Sequence, residues 1–328
     1  MQTTTSTRLL IPAQGFSLAA KFTEASPNAS SGPADVIVLA HGFTDTLNTP
    51  TLGFHKHIPG YAAVVFDFRG NGESGALPDD GYRYPSDPTQ SLPRAGRTRI
   101  GNYEEEAEDV DTVVEYVRTV MKRNVKCVLG YSKGASSVAL YAAKKGSDAP
   151  PYVIALAGRF ILTRLSSGDT KRAKQHGTVS GGPPVSYRTP LTDRYQPRSM
   201  DIRQNVDAVF TQFKDDRELF VLTHEDLLER FAVDMDDICA KINTKMVRLL
   251  VIHGDADQII PVEDAQSYRD AIAKNAQASG GHMPQLHIMP GADHSFVKEG
   301  NQSHLAQVVA AFCGNKPLPS SIKTSSNL

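Results

Sequence analysis

Short apolar runs alternate with helix-length periodic segments along the chain. The runs are "DVIVLA" (Asp35–Ala40), "AAVVFDF" (Ala62–Phe68), "VKCVLG" (Val125–Gly130), "YVIALA" (Tyr152–Ala157), "VRLLVIHG" (Val247–Gly254) and "QLHIMPG" (Gln285–Gly291). Apolar runs without a polar face belong to strands covered on both sides, as in a mainly parallel sheet. "RLLIP" and "FSLAAKF" predict a leading antiparallel hairpin. Helical spacing predicts helices over "NYEEEAEDVDTVVEYVRTVMKR", "KGASSVALYAAKK", "VEDAQSYRDAIAKN" and "HLAQVVAAF". In the first of these, Val110, Val113, Val114, Val117 and Val120 mark a buried face.

The alternation breaks between Arg159 and Ala240, where no clean strand is expected. A Gly/Pro-rich stretch there leads into "NVDAVFTQF" and "THEDLLERFA", both expected to be helical pieces. So long an interval between two core strands reads as a lid. The expected organisation is a core of residues 1–158 and 241–328 with an inserted cap of residues 159–240. Ala76 to Thr98, with Arg83, Arg94 and Arg97, is expected to be a solvated loop.

Composition narrows the function. The chain has 328 residues, 40% hydrophobic and 22% charged, enough for a sizeable core. A formal net charge of -1 argues against a nucleic-acid partner, and no apolar run is long enough for a transmembrane segment. No signal peptide is expected at the N-terminus, so the location read from sequence is cytoplasmic; Ser326-Asn327-Leu328 only faintly echoes a peroxisomal address. Cys127, Cys239 and Cys313 are odd in number and set in apolar surroundings, which predicts reduced core thiols. His55 and His57 have a metal-like spacing but no carboxylate or cysteine nearby, so no metal and no cofactor is expected.

Reactive groups of an open parallel sheet collect where strands end. Gly130-Tyr131-Ser132-Lys133-Gly134 joins a strand to a helix in the Gly-x-Ser-x-Gly pattern of a nucleophile elbow. A serine hydroxyl needs a base, and that base needs a carboxylate to orient it. The chain supplies His294 in "GADHSF", and Asp257 or Asp255 in "HGDADQIIP". Asp257 is favoured, because it lies far enough along its loop to lean across to the histidine. The other histidines, His253 among them, are given no catalytic role. Oxyanion donors are expected from the backbone of Lys133, whose side chain should point outward, and of Phe43 in "AHGFTDT", a turn shaped by His41 and Gly42.

Together "AHGF", "FDFRGNGES", "GYSKGAS", "HGDADQIIP" and "PGADHSF" resemble the α/β-hydrolases, in the serine-hydrolase branch of monoacylglycerol-lipase-like, feruloyl-esterase-like and serine-aminopeptidase-like proteins. The resemblance covers Leu10 to Gly158 and Val247 to Phe312. It implies a mostly parallel central sheet flanked by helices, with Ser132, Asp257 and His294 catalytic and Phe43 and Lys133 building the oxyanion hole. Asp67, Arg69 and Glu73 would be structural. The implied substrate is a small-molecule carboxylic ester with an apolar or aromatic acyl group, and His41, Tyr131, Phe160 and Leu162 are candidate substrate contacts. A peptidase with Glu225, Asp226 or Asp234 as amine anchor, and a silent binding protein on the same fold, are the alternatives. The chain departs from the family at Tyr131, where His is common, and at Lys133, where Met or Gln is common.

Overall fold

The computed structural model describes residues 6–25, 33–43, 45–74, 98–99, 102–164, 210–214, 217–222, 229–298 and 300–320. Its strands are β1 (Ser6–Pro12), β2 (Ser17–Thr23), β3 (Val36–Ala40), β4 (Ala62–Phe66), β5 (Thr98–Arg99), β6 (Val125–Tyr131), β7 (Tyr152–Leu156), β8 (Phe210–Lys214), β9 (Arg217–Leu222), β10 (Arg248–Gly254) and β11 (Gln285–Met289). The helices are α1 (Tyr103–Thr119), α2 (Lys133–Lys145), α3 (Met235–Lys241), α4 (Val262–Ser279) and α5 (Asn301–Cys313).

Eight strands form one sheet in the order β1-β2-β4-β3-β6-β7-β10-β11. Only β2 runs against the others; from β4 to β11 every pairing is parallel. The pleat sorts each strand into two cores. Val36, Val38 and Ala40 face a layer with the buried stripes of α1, α2, α3 and α4, while Ile37 and Leu39 face one with α5 and the 3-10 helix Pro50–His57. Burial on both faces is why these strands read as continuous apolar runs. The central strands place Ala40, Tyr131 and Gly254 at one edge of the sheet, and the chemistry gathers there.

Asn102 caps α1, its side chain accepting from the Glu105 amide at 2.7 Å, and Glu104, Glu105 and Glu106 complement the helix dipole. Val110, Val113, Val114 and Val117 are fully buried, each worth roughly 2 kcal/mol. Val120 is not part of that face. It lies beyond the helix end and is 60% exposed, because the chain turns away through Lys122 at φ 54°. All three cysteines are buried and unbridged.

The interval 159–240 also departs from its sequence reading. β8 and β9 form an antiparallel pair, joined in parallel by β5, as a separate three-stranded sheet. Val206, Val209, Phe210 and Phe213 follow helical spacing, yet Phe210–Lys214 is extended because it pairs with the strand that follows it directly, Arg217–Leu222. Of the expected helix at Thr223–Ala232, residues 229–232 are helical and the rest lie outside the described residues, as do residues 76–97 of the expected loop. α3 buries Met235, Ile238 and Cys239 in the same core layer as α2 and α4, so core packing resumes ahead of residue 241. Among the described residues no helix is long and apolar enough to cross a membrane.

Candidate active site

Ser132 stands at the corner between β6 and α2 with φ 54° and ψ -115°, a left-handed conformation that costs a non-glycine residue about 1–3 kcal/mol. Neighbours hold it there: its amide donates to the Leu156 carbonyl at 2.8 Å and its carbonyl accepts from the Ala135 amide at 3.1 Å. The flanking glycines are contact points. A Cβ at Gly130 would lie 2.0 Å from the Gly134 carbonyl oxygen, and one at Gly134 would lie 2.5 Å from the His41 carbonyl oxygen. The corner is thus wedged between its own helix and the turn after β3.

His294 arrives on the loop after β11. The Asp293 carboxylate shapes that loop by accepting from the Ser295 hydroxyl at 2.8 Å and from the Ser295 and Phe296 amides, each at 3.2 Å. Phe296, fully buried, anchors the turn. The result brings His294 Nε2 to 3.1 Å from Ser132 Oγ and Nδ1 to 2.7 Å from Asp257 Oδ2. Asp257 Oδ1 accepts from the Ile259 and Ile260 amides at 2.8 and 2.9 Å. Burial of this carboxylate opposes its charge, but the His253 and His294 donors and the Ile260 amide outweigh it and hold its pKa well below the usual carboxylate range. Asp255 does something else: its Oδ1 accepts from the Gly291 amide at 2.6 Å and ties the two loops together.

The turn carrying Phe43 is pinned from within. His41 is buried; its Nδ1–H donates to the Gly42 carbonyl at 2.7 Å, and Nε2 accepts from the Phe68 amide at 3.2 Å. Both ring nitrogens, assigned to this tautomer by their partners, serve the backbone. A Cβ at Gly42 would lie 3.0 Å from that of Ser132, so this turn touches the elbow. Tyr131, 4% exposed, packs its ring 5.2 Å from the His294 imidazole, and burial pushes its phenol up. Leu162 is buried in the core layer over α2 and α4, and Phe160 meets Tyr268 edge-on at 5.2 Å.

Lys133 contradicts its outward reading. Its ammonium pairs with the buried Glu106 carboxylate and lies 4.8 Å over the Tyr103 ring, and Glu106 also accepts from the Ser137 hydroxyl at 2.6 Å. A cation is tolerated there because α1 supplies both an acid and an aromatic face. As the first residue of α2, Lys133 still presents its backbone at the helix N-terminus. The "FDFRGNGES" turn is held by the Asp67 carboxylate, which accepts from the Leu47 amide at 2.5 Å and the Glu73 amide at 2.7 Å. Arg69 fastens it to α1 through Asp109 at 2.8 Å, and Glu73 pairs with Arg8.

His253, Glu106 and Asp264 escaped the sequence reading. Asp264 takes the Arg164 guanidinium at 2.6 Å and the Phe160 amide at 2.9 Å, tying the segment after β7 to α4. Their only signal was a polar residue inside an apolar pattern.

Fold and site together define an α/β-hydrolase. The family described as Serine aminopeptidase, S33, matches residues 31–301, and the chain belongs to it. Among solved structures, Est1E from Butyrivibrio proteoclasticus with ferulic acid bound is 17% identical, with a TM-score of 0.62 over 94% of this chain and 98% of its own. The esterase domain of a Rhodothermus marinus protein is 16% identical at a TM-score of 0.56, covering 95% of this chain and 98% of that one. A Xanthomonas campestris α/β serine hydrolase without lid, XC6422, is 15% identical at a TM-score of 0.52, covering 98% and 99%. At these identities the likeness is one of fold. No curated protein matches the chain in sequence.

Proposed function

We propose that this serine hydrolase cleaves small carboxylic esters through an acyl-enzyme. The observation that carries the reading is the continuous contact from Ser132 Oγ through the His294 imidazole to Asp257, at 3.1 and 2.7 Å, with the serine on a strained corner. His294 Nε2 takes the Ser132 proton as Oγ attacks the ester carbonyl, and Asp257 stabilises the imidazolium. The backbone N–H groups of Lys133 and Phe43 receive the oxyanion. The alcohol then leaves with the proton held by His294, and water attacks the acyl group by the same relay. His41 acts as the holder of the oxyanion turn, since both its ring nitrogens serve the backbone. Ferulic acid bound to Est1E supports an apolar or aromatic acyl group, with Tyr131, Phe160 and Leu162 as candidate contributors to its site.

The family's description supports a second reading, an aminopeptidase. It needs an acidic anchor for the substrate amine. Asp234 caps α3, accepting from the Asp236 and Asp237 amides at 2.9 and 3.3 Å, and Glu225 and Asp226 lie outside the described residues. A fluorophosphonate probe tests the nucleophile: labelling lost in Ser132→Ala supports catalysis, whereas no labelling of the wild type favours a binding protein. Hydrolysis of p-nitrophenyl and hydroxycinnamoyl esters graded by acyl size, set against aminoacyl anilides, then separates esterase from peptidase.

A further inference from the structure

Asp257 Oδ2 serves two imidazoles. His294 Nδ1 lies 2.7 Å away, and His253 Nε2 lies 3.2 Å away on the other side. His253 is the penultimate residue of β10 and is fully buried. Its Nε2 also lies 3.0 Å from the Ile260 carbonyl oxygen, which can only accept, so the proton is on Nε2. Its Nδ1 finds no partner among the described residues. Packing alone does not account for this residue: an apolar side chain would fill the space without stranding a buried ring nitrogen.

We infer that His253 is a positioning residue for the reaction, holding Asp257 Oδ2 toward His294 and drawing off part of its negative charge through the shared Nε2–H. The inference rests on the proposed hydrolase reading and extends it to a group that touches neither substrate nor reacting atoms. With the two amides on Oδ1, the His253 bond completes four donors around one carboxylate, fixing both its position and its rotation. Without His253, Oδ2 keeps His294 as its one imidazole neighbour, and the carboxylate is freer to rotate out of the position that orients the ring. The other groups placed against the His294 ring are Ser132 and the neutral phenol of Tyr131.

The test compares His253→Asn, whose amide follows Nδ1 and stops short of Asp257, with His253→Gln, whose amide reaches the place of Nε2. NMR of labelled histidine side chains follows the His294 Nδ1 proton in its bond to Asp257 without turnover, and kcat and KM, measured separately, follow the same contact in catalysis. In H253N that proton signal is expected to move upfield as the bond loosens, with KM little changed. Its kcat/KM at neutral pH is expected to fall about tenfold to a hundredfold. H253Q should restore both. A His294 Nδ1 proton signal unchanged in H253N, or an H253Q protein no closer to wild type than H253N, overturns the inference. If H253N melts far below the wild type, His253→Leu carries the same comparison. A wild type without Ser132-dependent fluorophosphonate labelling would sink the hydrolase reading, and the NMR signal would then decide the His253–Asp257 contact alone.

Discussion

Replacing Gly134 by Ala separates oxyanion geometry from folding. The new Cβ would lie 2.5 Å from the His41 carbonyl oxygen and 2.9 Å from that of Ala40, where ordinary contact begins at 3.4 Å. Relief requires about 0.9 Å of separation between the start of α2 and the end of β3. The turn after β3 cannot give freely, because His41 is bonded through both ring nitrogens, to Gly42 and to Phe68. The two proposed donors, on Lys133 and Phe43, sit on opposite sides of this contact and move apart. A displacement near 1 Å costs about a hundredfold in rate. Overpacking costs roughly 1–3 kcal/mol, and better helix propensity returns up to about 1 kcal/mol. G134A should therefore melt within a few degrees of the wild type, yet react with a fluorophosphonate about a hundred times more slowly. Labelling at the wild-type rate would refute the argument that this contact sets the donors. So would loss of labelling that merely tracks unfolding.

Three further outcomes follow from the same contacts. Asp257→Asn should lower kcat by about three to four orders of magnitude, while Asp255→Asn leaves kcat within a few-fold and lowers only the melting temperature; equal kinetic losses would undo the assignment. Lys133→Met leaves the buried Glu106 carboxylate with the Ser137 donor but no cation, so denaturant titration should show a loss of about 3 kcal/mol, largely recovered by adding Glu106→Gln. Burial lowers His55 and His287 to about 4, so between pH 6.5 and 4 the unfolded chain takes up protons that the native state refuses, and stability falls with pH. Each contributes at most about 3 kcal/mol over that range, and Asp109, pushed up to about 6 by burial, works in the opposite sense and offsets one of them. Thermal melts at pH 7, 6 and 5 should show a falling midpoint, and a constant midpoint would contradict the sign.

The parallel sheet was legible because Val36 to Ala40 and its neighbours are buried on both faces, which leaves an unmistakable apolar run. The elbow was legible because Gly130, Ser132 and Gly134 meet needs of backbone space and conformation that few other residues satisfy. Contacts made in the third dimension were not. Lys133 turns inward for an acid and an aromatic ring some thirty residues earlier in the chain. Phe210 and Phe213 follow helical spacing yet sit in a strand defined by its partner. His253 looked like any residue at the end of a buried strand, because only the folded loop brings Asp257 back over it.

The small sheet changes how the protein can be cut. Thr98–Arg99 pairs with Phe220–Val221, so a strand from inside the interval 159–240 is laced to a segment that precedes α1. Four residues after Arg99 comes Tyr103, whose ring lies under the Lys133 ammonium next to Ser132. A truncation that excises the interval at its own ends removes the partner of Thr98–Arg99 and frays the approach to α1. A minimal version of this protein therefore has to be trimmed in two places at once.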